Sequence, residues 1–214
     1  MSMINGFTRL LAGEPAPVIP VLVIDRLEDA VPIAQALVSG GLRVLEVTLR
    51  TPVALAAVSA IVADVKDAIV GVGSVIDAEQ FVLAQDVGAH FAVSPGAGTA
   101  LLAAAQRASI PWLPGAQSVS EVLELRACGY RMTKFFPAHA AGGTQFLRAI
   151  AGPVPDMQFC PTGGVSASIA REYLALKNVR CVGGTWLTPF EAVAERRWDR
   201  IHTLAREASA MAPR

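Results

Sequence analysis

The chain has 214 residues, 53% hydrophobic, 17% charged and 6% aromatic, a length for one large domain or two small ones and an aliphatic excess that excludes a disordered chain. Eighteen basic residues balance eighteen acidic ones, which excludes a global field recruiting nucleic acid or an anionic membrane, so any anion must be held by a local site. The amino-terminal MSMINGFTRLLAGEPAP lacks a positive segment ahead of a long apolar core, and no apolar run reaches the roughly 20 residues of a membrane span, so the expectation is a soluble cytoplasmic protein.

Along the chain, residues 4–12 read as a short helix preceding a repeating unit: an apolar β-branched run, a turn, then a segment of helical period. The run VIPVLVI (18–24) leads into a helix over 27–41, where Pro32 is tolerable if the helix begins near Asp29, within its first turn. RVLEVTL (43–49) precedes a helix over 51–65, AIVGVGSV (68–75) one over 77–89, and HFAVSP (90–95) one over 99–109. PWLPG (111–115) precedes 118–129, RMTKFFP (131–137) precedes 144–152, and MQFCPTGG (157–164) precedes 166–178. The last run, VRCVGGTW (179–186), is followed by a final helix over 190–211.

Eight apolar runs separated by helices imply parallel strands buried on both faces. Units of about 20–25 residues suit a compact (β/α)8 TIM barrel. The expectation is therefore a single α/β domain over 1–214, with the extra N-terminal helix closing the barrel bottom. A doubly wound sheet is the alternative, but the first strand–helix joint, VLVIDRLEDA, has no GxGxxG.

Polar residues that interrupt this pattern mark the candidate site, which in a barrel lies where strands end. Alternation along the second run puts Glu46, Thr48 and Arg50 on one face and Leu45, Val47 and Leu49 on the other. The aliphatic face suits the helix layer, so the charged face points inward. An internal Glu46–Arg50 ion pair is the bland reading; buried unlike charges at strand ends are also a site signature. In the sixth run Lys134 shares its face with Met132 and Phe136. It either snorkels to water or sits in an apolar pocket beside another cation. Such a pocket disfavours the ammonium form, and a free amine attacks ketones to form a Schiff base. PTGGV (161–165) and VGGTW (182–186) end the last two runs, where paired glycines let backbone N–H groups approach a phosphate.

Other chemistries find less support. Cys128, Cys160 and Cys181 lack CxxC spacing, and Cys160 and Cys181 lie in apolar runs, as reduced core thiols do. His90, His139 and His202 have no HxH or HxxxH spacing, so no metal site is expected.

Taken together, VIPVLVI, GGLRVLEVTLRTP, SPG, KFFPA, FCPTGGVS and CVGGTWL resemble the 2-keto-3-deoxy-6-phosphogluconate (KDPG) and 4-hydroxy-2-oxoglutarate aldolase family, from about Pro17 to the carboxyl terminus. The resemblance implies a class I, Schiff-base lyase of the Entner–Doudoroff pathway, a homotrimer needing no cofactor and no metal. On matching positions it implies Lys134 as the Schiff-base lysine and Glu46 as the general acid/base. Arg50 binds the substrate carboxylate with help from Ser74, Phe136 and Pro95 line the pocket, and Thr162 contacts substrate hydroxyls. Gly163, Gly164, Gly184 and Thr185 hold the phosphate.

Three positions depart from the family pattern: Ser74 stands for the usual Thr, Thr185 for the commoner Ser, and His139 for the usual Glu. Thr162 favours the gluconate over the galactonate series, in which an apolar residue stands at this position. Two alternatives remain: a 4-hydroxy-2-oxoglutarate or galactonate-series aldolase using the same lysine, and a catalytically silent phosphosugar-binding barrel.

Overall fold

The computed structural model describes residues 4–211, so the expected domain of 1–214 extends past them at both ends. All eight apolar runs contain strand. They form β1 (Val18–Leu22), β2 (Val44–Thr48), β3 (Ile69–Gly73), β4 (Phe91–Val93), β5 (Trp112–Leu113), β6 (Gly115–Ala116), β7 (Met132–Phe135), β8 (Gln158–Pro161) and β9 (Val182–Gly184). The fifth run gives two strands because Pro114, with no N–H to donate, interrupts it.

Every strand pair is parallel, in a six-stranded sheet ordered β5-β4-β3-β2-β1-β9 and a three-stranded sheet ordered β6-β7-β8. The carbonyl of Pro114 accepts from the Lys134 N–H at 2.8 Å and from the Thr133 hydroxyl at 2.7 Å, tying the interrupted run to β7. Isolated parallel bridges, Phe159 to Val179 and Thr162 to Gly183, link β8 to the β9 segment. The result is a mixed α/β fold built on a curled parallel sheet.

The helices are α1 (Gly6–Ala12), α2 (Leu27–Ser39), α3 (Ala54–Asp64), α4 (Ala78–Asp86), α5 (Thr99–Arg107), α6 (Val119–Ala127), α7 (Gly143–Ala151), α8 (Ala167–Leu174), α9 (Phe190–Ala194) and α10 (Trp198–Ser209). Two helices differ from expectation. Helix α2 starts at Leu27, so Pro32 lies in its second turn and withholds a hydrogen bond from the Glu28 carbonyl. The expected helix over 190–211 is two helices, parted at Arg196, whose φ of 53° lies in the left-handed region.

Strand alternation sorts the interior into two cores. Outward residues such as Leu45, Val47, Val70, Val72, Phe159 and Val182 pack with Ile33, Leu37, Val58 and Ile61 of the helices. Inward residues Ile19, Val44, Phe91, Val93, Leu113, Met132, Cys160 and Cys181 form a smaller cluster with Phe7 and Leu11 of α1. Phe7 meets Phe91 edge to face at 5.1 Å, so α1 seals the N-terminal ends of the strands. The opposite, C-terminal ends are left for polar residues. No helix among the described residues is long and apolar enough to cross a membrane.

Candidate active site

Directly above the inner cluster stands Lys134, one pleat beyond Met132 on β7, its backbone in register with Cys160 of β8 and Gly115 of β6. Its Nζ donates to Glu46 Oε1 at 2.9 Å. Both residues are buried, Lys134 at 5% and Glu46 at 3% exposure. Removing two charges from water costs several kcal/mol per ion in effective desolvation, which their attraction offsets only incompletely. Stability therefore does not explain the pair. Passage of one proton between them converts ammonium–carboxylate to amine–carboxylic acid and exposes a nucleophile.

The sequence pattern of β3, Ile-Val-Gly-Val-Gly, shows how Glu46 finds room. Gly73 lies opposite Thr48 in the ladder, and a Cβ on Gly73 would collide with the Glu46 carboxylate. Sequence reasoning missed Gly73 as a site residue, although glycine inside a strand signals close approach by a neighbour. Gly183 does the same for Thr162, since its Cβ would meet Thr162 Oγ1.

Lys134 opens into a cavity of about 190 Å³ lined by Val21, Arg50, Phe136, Thr162, Gly163, Gly164, Val165, Gly183, Gly184 and Thr185. Larger hollows of about 420 and 710 Å³ exist elsewhere, but neither is lined by the buried Lys134–Glu46 pair. The Phe136 ring forms an apolar wall with its centroid 5.5 Å from Nζ. Arg50 lies just past the end of β2, exposed at the cavity edge, and among the described residues it makes no ion pair. The bland alternative, a Glu46–Arg50 pair, does not form, because β2 ends at Thr48 and the chain turns before Arg50, and Glu46 pairs with Lys134 instead. Thr48 shares the face of Glu46, but its hydroxyl donates to the Leu22 carbonyl at 2.9 Å and is spent there.

Ser74 and Pro95 lie outside this lining. Ser74 follows β3 with φ 61°, a strained position for a residue with a side chain and one that recurs at functional sites. The backbone of Pro95 presses on Gly115, the register partner of Lys134, leaving no room for a Cβ there.

The far wall is polar backbone. Gly163 and Gly164 have φ 95° and 73°, conformations that L side chains rarely adopt. Helix α8 starts two residues after Val165 with no side-chain cap, so its first N–H groups remain available to an anion. The His139 N–H donates to the Gly163 carbonyl at 3.0 Å, and its Cβ occupies the space a Gly164 side chain would need, 2.6 Å away. His139 therefore stands on the rim of the tandem-glycine loop. After β9, helix α9 has only five residues and adds little dipole.

Below the site, the Cys181 thiol is held well above its ordinary range, first by hydrogen bonding to Cys160 and second by burial. All three cysteines are free, with Cys160 and Cys181 buried. Among the described residues no three His, Cys, Asp or Glu side chains converge as a metal site would require.

Known proteins resemble this chain in sequence and in fold. Residues 12–204 match the family of KDPG and KHG aldolases. A 2-dehydro-3-deoxy-phosphogluconate aldolase from Dickeya dadantii is 53% identical over 194 residues, 91% of each chain. A KHG/KDPG aldolase from Escherichia coli K12 is 52% identical over 192 residues, 90% of each. The crystal structure of a KDPG aldolase from Legionella pneumophila, with pyruvate captured as a covalent carbinolamine, superposes with a TM-score of 0.90. It shares 49% identity and covers 92% of this chain and 96% of its own. The chain belongs to the KDPG and KHG aldolase family.

Proposed function

We propose that the protein is a class I aldolase cleaving 2-dehydro-3-deoxy-6-phosphogluconate to pyruvate and glyceraldehyde 3-phosphate. The observation that carries this reading is the buried Lys134–Glu46 contact, set in a cavity whose opposite wall is the tandem-glycine loop. Lys134, as free amine, adds to the C2 ketone to give a carbinolamine, and loss of water assisted by a proton from Glu46 as carboxylic acid gives a protonated imine and the Glu46 carboxylate. Glu46 acts as the general acid/base, accepting the C4 hydroxyl proton directly or through water. The C3–C4 electron pair moves into the imine as the bond breaks, releasing glyceraldehyde 3-phosphate and leaving an enamine. Protonation at C3 and hydrolysis return pyruvate and the amine.

Arg50, with Ser74, orients the carboxylate, Phe136 and Pro95 shape the pocket, and Thr162 meets the hydroxyls. Gly163, Gly164, Gly184 and Thr185 hold the phosphate. These remote anchors place C2 over the amine. We further propose that the curled sheet closes as a (β/α)8 barrel forming one domain over 1–214. The bridges between β8 and the β9 segment and the shared Pro114 carbonyl support closure. The enzyme is proposed to act as a homotrimer in the cytoplasm, without metal or other cofactor.

A second reading, use of the shorter 4-hydroxy-2-oxoglutarate, is supported by the E. coli relative, which bears both substrate names. Steady-state assays on both substrates and on the C4 epimer test the assignment. The phosphorylated gluconate substrate should have the highest kcat/KM. Equal or better turnover of 4-hydroxy-2-oxoglutarate would reassign the substrate while leaving the lysine chemistry intact.

A further inference from the structure

Among the described residues two buried side-chain oxygens, Thr8 Oγ1 and Asp29 Oδ1, lack hydrogen-bond partners, and each belongs to a residue lining one of the two larger hollows. Asp29 is compensated, with Arg26 Nε at 2.7 Å and Arg196 Nε at 3.7 Å. Thr8 has no such compensation. It faces a groove of about 710 Å³ where α1, α7 and the starts of β7 and β8 meet.

Three cations line that groove, Arg131, Arg148 and Lys177, against one carboxylate, Asp156. Asp156 is held by Arg126, whose Nε lies 2.8 and 3.0 Å from its two oxygens, and by Arg131, whose Nε lies 3.5 Å from Oδ2. The Arg131 guanidinium is fixed by Nη1 donating to the Tyr130 carbonyl at 2.8 Å and the Arg126 carbonyl at 3.1 Å. Among the described residues Arg148 and Lys177 make no ion pair. At the back of the groove, buried Asn178 donates to the Leu147 carbonyl at 2.8 Å, which ties α7 to the segment entering β9. In a chain with no net charge, a concave surface with a local excess of fixed and unspent cations is a feature that attracts anions.

We propose that this groove binds a small molecule carrying two or more anionic groups, a phosphorylated or polycarboxylate metabolite, distinct from the substrate under reaction. Arg131 precedes β7 and Lys134 lies three residues on, so the two sites are separated by about 10 Å of strand, on opposite ends of the sheet. The volume is in the range that holds a metabolite-sized ligand, roughly 300–1,000 Å³. Arg148 and Lys177 supply the charge and Arg131 a pre-oriented planar donor.

Titration calorimetry with pyrophosphate and with citrate, at fixed ionic strength, tests the site on the full-length enzyme. The Arg148→Ala/Lys177→Ala double variant alters only exposed side chains, and its aldolase kcat and KM should match the parent. Saturable binding of either probe, weakened by about tenfold or more in the double variant, supports the site, and the tighter probe identifies its chemistry. A smaller change, or no saturable binding of either probe to the parent, overturns it. The latter is also the result expected if another copy of the chain covers the groove.

Discussion

At the scale of single residues, the site depends on one amine and one carboxylate that have little to interact with except each other. Replacing Glu46 by Gln keeps the shape and removes the proton acceptor. We expect kcat to fall by about 10²–10⁴, with the fold retained by circular dichroism; an unchanged kcat would remove Glu46 from the mechanism. Gly73→Ala is a subtler test, because its Cβ would enter the space of the Glu46 carboxylate and push it off Lys134. It should lower kcat toward the level of Glu46→Gln, and a fully active variant would show that the contact is dispensable. Lys134, Glu46 and the glycine loops were legible in the sequence because charge or glycine stood out in apolar strands. Gly73 and Gly183 were not, since their role is to be absent where a side chain from the next strand arrives. The sequence left open whether Glu46 pairs with Arg50 or serves a site with Lys134: periodicity shows which residues share a strand face, but contacts between strands far apart in the chain depend on closure.

At the scale of elements, helix α6 shows how local chemistry fixes the layer around the strands. Ser118 caps it, accepting from the Glu121 N–H at 3.3 Å, while the Glu121 carboxylate accepts from the N–H groups of Gln117 and Ser118 at 2.7 Å each. Ser118→Ala should cost about 1 kcal/mol in urea denaturation. The Glu121 carboxyl lies below its ordinary value of 4.5, chiefly through the Gln117 N–H. Its contribution is therefore present above pH 4.5 and lost as pH falls through the folded-state value. Glu121→Gln should accordingly destabilise at pH 7 and cease to do so in acid; a penalty independent of pH would contradict the carboxylate's role. Strand and helix positions were legible because period and turn residues agree along nearly the whole chain. The exceptions are backbone effects at single positions. Pro114 divides an apolar run, Arg196 breaks the last helix, and Pro32 sits inside α2, which packs against α3 and α10.

At the scale of the whole molecule, two cores divide the work. The outer core joins helices to strands, while the inner cluster, sealed by Phe7, supports the floor under Lys134. Phe7→Ala should cost about 3–5 kcal/mol, seen as a lower denaturation midpoint, with near-normal kcat below it because α1 lies at the far end from the amine. A loss of kcat in the folded variant would show that the inner cluster positions the lysine. The central claim, that Lys134 forms a Schiff base with a 2-oxo acid, is tested most directly by borohydride reduction in the presence of pyruvate, followed by peptide mass mapping. The account predicts one covalent adduct, on Lys134, absent from the folded Lys134→Met variant. No adduct, or an adduct on Lys66 or Lys177, would contradict it.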